Sequence, residues 1–271
     1  ADEYRWFVAV SSGYNNYRAD GADRASGDGA QALFLLSVDK PAIDAWQENT
    51  NYFKMKLPKP TNNRAAALAN PGVATDAMGN AIIFYAGDTQ GNLWKFDFQS
   101  GVNAENARDA VKTKPLAYLK DAAGKVQPVT TVPQVAPGLD GGYMVIFGTG
   151  KYIEMGDANT TEGHSVYGIW DNLGTSADSD HGVTRAKLYA RSFHAATSLA
   201  TGAATFQFGK GTGQYRGWRL DLPLTGERVV MDPDTRLGYT AVNSFVPPAD
   251  CAASGTGVMM TFDNLYGTSR S

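Results

Sequence analysis

The sequence is short of nearly everything that announces chemistry or a membrane. It has one cysteine in 271 residues, so an internal disulfide is excluded. Cys251, in PPADCAASGTG, is either a small buried hydrophobe or bonded to something outside these residues. The three histidines, His164, His181 and His194, include no pair at the i, i+2 or i, i+4 spacing of common zinc sites, and they read as surface or strand residues. Lys and Arg number 24 against 27 Asp and Glu, with no basic block, so neither nucleic acid nor an anionic membrane is an expected partner. The longest apolar run, near residues 81–86, falls far below the roughly 20 residues that span a bilayer. The opening ADEYRWFV has neither an initiator Met nor the regions of a signal peptide, and is expected to be the start of a mature or trimmed piece.

What is present is apolar and turn-rich. The chain is 43% apolar and 11% aromatic with 30 glycines, which suits a folded domain with many turns. Helical periodicity is hard to find, whereas short β-branched and aromatic runs bounded by Gly, Asn, Asp and Pro recur. RWFVAVSSGYNN, AIIFYAGDTQGN, YMVIFGTGKYIE and LGYTAVNSFVPP each run from an apolar strand into a turn. Each is followed by a second strand ending near an Asp: ALFLLSVD, NLWKFDF, SVYGIWDN and GVMMTFDN. The pairs predict four hairpins. YFKMKLP, PLAYLK, KLYARSF, ATFQFG and GWRLDLP are further strand candidates.

Two core strands plus one or two outer ones, recurring about every 60 to 95 residues, predict an all-β propeller with long polar insertions. Trp94, Phe96, Trp170 and Trp218 are expected to pack blade against blade. Four hairpins amount to four blades, so the ring is either closed by loop-rich blades or completed by blades preceding Ala1. The insertions at 14–30 and 174–183 read as surface loops, and Arg18, Asp20 and Asp23 are candidates for partner contact.

Enzymatic motifs fail in detail. GHSVYG around Ser165 has Tyr167 where a nucleophile elbow needs glycine, so Ser165 reads as a strand residue. GTGKYI lacks the third glycine of a dinucleotide fingerprint, and Lys151 lacks the following Ser or Thr of a P-loop. Asp20, Asp23 and Asp28 depart from calcium-loop spacing.

FYAGDTQGNLWKFDF resembles the YAGD-x-x-GN-x-W-x-FD signature of PilY/PilC propellers, and QPVTTVPQV, VIFGTGKYIE, SVYGIWDN, GWRLDLPLTGERVV and the Pro-rich stretch with Cys251 follow in the family's order. The resemblance marks Gly87, Asp88, Gly91, Asn92, Trp94, Asp97, Gly148, Gly150, Trp170 and Trp218 as motif residues with structural roles. It implies that residues 1–271 are the C-terminal part of such a propeller. It also implies a non-enzymatic role in type IV pilus biogenesis at the pilus tip: promoting assembly or opposing retraction, and supporting adhesion. The implied partners are minor pilins or the tip complex, with a host surface or glycan as a further ligand. The implied location is the cell surface, reached through the periplasm and outer membrane. Relatives carry an Asp-rich calcium loop before the YAGD strand; here VATDAMGNA keeps only Asp76 and Asn80, so no cofactor is expected, and any calcium belongs elsewhere in the full protein. The alternatives are a quinoprotein-like propeller dehydrogenase, which the single cysteine disfavours, and a glycan-binding propeller adhesin.

Overall fold

The computed structural model describes residues 5–14, 31–60, 66–174, 180–194, 199–201, 204–248 and 254–269. These form four sheets that follow one another along the chain. The first contains β1 (Phe7–Ser11), β2 (Ala32–Ser37) and β3 (Tyr52–Lys56). The second runs β4 (Gly72–Thr75), β5 (Ala81–Gly87), β6 (Asn92–Asp97) and β7 (Ala117–Tyr118). The third holds β8 (Gln134–Pro137), β9 (Tyr143–Gly148), β10 (Ser165–Asp171), β11 (Tyr189–His194), β12 (Leu199–Thr201) and β13 (Gly217–Asp221), in the order β12-β11-β13-β10-β9-β8. The fourth is β14 (Asp234–Arg236), β15 (Tyr239–Asn243) and β16 (Met259–Asp263). At the centre of each lies an expected antiparallel pair: β1–β2, β5–β6, β9–β10 and β15–β16. The α-helix among the described residues, α1 (Ala104–Asp109), is short and capped by Asn103, which accepts from the N–H groups of Glu105 and Asn106.

The apolar strands read as continuous rather than alternating because the middle sheets are covered on both faces. From β5, Ile83 and Tyr85 join Val145, Phe147, Tyr167 and Ile169 of the third sheet. Its intervening Phe84 and Ala86 join Leu33, Leu35, Phe53 and Met55 of the first. On the far side of β9, Met144 and Ile146 pack with Val242, Met260 and Phe262 of the fourth. The sheets therefore stack as propeller blades, with a core between each successive pair. Trp94 is buried in the first of these cores, and Trp170 and Trp218 in the last. Gly168 makes room for Trp218: a Cβ there would lie 2.4 Å from the indole.

Two differences from the sequence reading have physical causes. ATFQFG forms no strand; Phe206 and Phe208 instead stack in an aromatic group with Tyr189, Tyr215 and Tyr266, and Gly209 turns the backbone at φ +152°. The short strands β4, β8, β12 and β14 carry little apolar alternation, and β4, β8 and β14 follow or contain a proline. Proline suits a sheet's edge, where no ladder N–H is required.

Candidate functional site: the clasped end of the sheets

Each chain segment that leaves one sheet for the next crosses the ends of the central strands. Leu68 bridges Gly13 of the first sheet's hairpin and Asp88 of the second. Val129 donates its N–H to Asp88 O at 3.0 Å, while its neighbour Pro128 accepts from Gly150 N at 2.7 Å. Val229 donates to Thr149 O at 2.9 Å, and Arg228 exchanges two backbone bonds with Phe245. Three linkers thus lace four blades together at one end. This explains two motif glycines. A Cβ on Gly87 would lie 2.3 Å from the Val129 side chain, and one on Gly148 would lie 2.3 Å from Val229. Gly150, at φ +155°, lies equally close to the Arg228 backbone and side chain.

Asp88 organises the turn after β5. Fully buried, it accepts from Gln90 N, Asn92 N, Asn92 Nδ2 and Trp94 Nε1 at 2.8–2.9 Å, and from Gln31 Nε2 at 3.3 Å. Burial pushes its pKa up, against the opposing pull of Trp94 and Asn92. Gly91 supplies the positive φ of +72° that the turn needs. The same D-x-x-G geometry recurs at Asp76, which accepts from Met78 N, Asn80 N and Asn80 Nδ2, and at Asp121, which accepts from Ala123 N and Lys125 N. Asp97 closes β6, accepting from Gln99 N and lying 3.5 Å from Lys95 Nζ. Lys95 also pairs with Asp171 of the third sheet at 2.9 Å, both side chains being buried, and Asp171 accepts from Tyr85 Oη at 2.7 Å. The pair and its phenol tie two blades together.

In the third sheet, β10 begins at Ser165, whose Oγ donates to Asp221 at 2.8 Å and accepts from Gln127 Nε2 at 2.9 Å. Arg185 and Arg219 hold that carboxylate. His164 and His181 are buried rather than on the surface. His164 Nδ1 lies 3.5 Å from Thr149 Oγ1, and burial, with Arg228 nearby, lowers its pKa to about 4. Ser165 is bonded to a carboxylate and an amide rather than to a base, so the cluster locks strands and activates no nucleophile. Among the described residues, no group of three His, Cys, Asp or Glu side chains is placed to hold a metal ion.

The two polar insertions lie at opposite ends. The 14–30 segment leaves β1 at the clasped end, and Arg18, Asp20 and Asp23 fall outside the described residues. The 174–183 segment follows Asp171, which pairs with Tyr143 where β9 begins, so it belongs to the other end. Its last part is not a surface loop. Asp180, His181 and Val183 are buried, Gly182 and Val183 donate to Pro115 O and Leu116 O, and Val183 accepts from Tyr118 N, because a bridge to β7 recruits the segment. Sequence reasoning missed Leu68, Val129, Val229, Arg228 and Lys95. A usable signal lay in the apolar linkers ending at Pro71, Pro133 and Pro233.

A family model described as the PilY1 beta-propeller domain matches residues 4–203. The chain belongs to the PilY1 β-propeller family. Among its relatives is the "Type IV pilus biogenesis factor PilY1" of Pseudomonas aeruginosa, 30% identical over 288 residues, which cover 93% of this chain and 23% of that protein. A Xylella fastidiosa PilY1 homolog is 27% identical over 278 residues, covering 97% of this chain and 18% of its own length. The chain therefore spans about a quarter or less of these relatives. The crystal structure of the Pseudomonas aeruginosa PilY1 C-terminal domain matches with a TM-score of 0.72 and 24% identity, over 98% of this chain and 56% of that one, and shares its fold.

Proposed function

We propose that this chain is a protein-docking propeller of a type IV pilus biogenesis factor, acting at the pilus tip to promote assembly or oppose retraction and to support adhesion. The observation that carries this reading is the match to the PilY1 propeller over residues 4–203, with relatives named as pilus biogenesis factors. In this reading the protein works at the cell surface and has no catalytic role. The polar interiors support that: Asp88, Asp171, Ser165 and Asp221 all spend their hydrogen bonds on holding strands.

Residues 1–271 form, in this proposal, the C-terminal part of a larger propeller. Trp6, Val8 and Val10 leave the outer face of the first sheet exposed and apolar, as suits a face against which another blade stacks. The partners are minor pilins or a tip complex, and Arg18, Asp20 and Asp23 remain contact candidates. Calcium is expected to be absent from the Asp76 turn, whose carboxylate is already used by Asn80 and Met78. The test is calorimetry of the chain with purified minor-pilin ectodomains: saturable binding supports the docking role, and none to any of them opposes it.

A further inference from the structure

We infer that the β9–β10 loop, residues 151–160, is a preformed protein-contact knob that inserts an apolar tip into a basic-rimmed cleft on a protein partner. The inference rests on the docking reading and assigns it a surface. The loop is unusually well fixed. Arg228, 1% exposed, donates to Gly226 O, Lys151 O, Asp157 O and Thr160 O at 2.7–3.0 Å. The Asp157 carboxylate accepts from Ile153 N and Glu154 N, and Lys151 pairs with both Glu154 and Asp157.

A loop held by a buried guanidinium would be expected to turn its apolar side chains inward. This one does the opposite: Met155 is 99% exposed, and Tyr152 and Ile153 are each 43% exposed. Tyr152 is steadied by Phe245 of the neighbouring blade, ring centroids 5.2 Å apart. Rigid backbone under an exposed apolar tip lowers the ordering cost of binding. The tip also projects from the clasped end, where the hairpin loops and linkers of all four blades gather.

Charge selects the occupant. Asp121, Glu154, Asp157 and Glu162 stand around the loop against Lys151 and Arg228, leaving an acidic border. That border repels an anionic bilayer and suits a cleft rimmed by Lys or Arg.

The test places a photo-crosslinking amino acid at position 155 of the full-length protein in piliated cells. A matched probe goes at position 237, which is as exposed but lies in the β14–β15 turn at the opposite end. The expected result is a light-dependent protein adduct from position 155 and not from 237. Glu162→Lys should reduce that adduct about tenfold, the scale of one well-placed interfacial charge. Absence of an adduct at 155, or an adduct only with lipid, overturns the inference. A strain lacking the protein is assayed for pili in parallel, so failure of the knob is distinguished from failure of the pilus reading.

Discussion

Trp94 Nε1 donates a 2.8 Å hydrogen bond to the carboxylate of Asp88, six residues earlier across the β5–β6 turn, and both side chains are buried. The indole therefore has two jobs: it fills the core between the first two blades and satisfies a charge that water cannot reach. Removing each separately should give different losses. Trp94→Ala should cost about 3–5 kcal/mol through the cavity it leaves. Trp94→Phe keeps most of the volume but strips Asp88 of a donor, for about 1–3 kcal/mol. Urea unfolding of the two variants measures both.

The Gly148–Val229 contact predicts a steric phenotype. Gly148→Ala forces a methyl into the Val229 side chain and should destabilise by about 1–3 kcal/mol. Val229→Gly in the same chain should recover part of that loss. If Gly148→Ala melts like the parent, the clasp is not close-packed.

Stability should fall in mild acid. His164 has a folded pKa of about 4, below its unfolded value of 6.5, so the unfolded chain binds the extra proton between those pH values. The neutral-histidine contribution is therefore full above about pH 6.5 and is lost as pH falls toward 4. His181 is shifted in the same direction, by burial and then by Lys95. Melting curves of parent and His164→Gln should diverge above pH 6.5 and converge toward pH 4. A constant difference across that range would contradict the assignment.

The Asp76 turn should be indifferent to calcium. Its carboxylate is held below the usual range, first by Asn80, with all its near donors supplied by the turn itself. Calcium titration should give no heat assignable to this loop, and tight binding abolished by Asp76→Ala would refute the proposal.

The hairpins were legible because each carries its own evidence: apolar strand, glycine turn, apolar strand, terminal Asp. Asp97, Asp171 and Asp263 end strands and accept an N–H from the following turn, a local bond that leaves a local signature. The clasps were not legible. Val129 and Val229 are ordinary residues in linkers, and their importance lies in the distant glycines beneath them. Lys95 looked like a polar interruption of NLWKFDF because its partner, Asp171, lies a whole blade away. The buried end of the 174–183 insertion likewise depends on a bridge to β7 that no spacing announces.

The central claim is that this propeller serves pilus assembly. Counting surface pili by electron microscopy, in a strain lacking the full-length protein and in that strain complemented, tests it most directly. The account predicts few or no pili in the deletion, restored by the intact gene and not by one lacking residues 1–271. Normal piliation without the protein would contradict it.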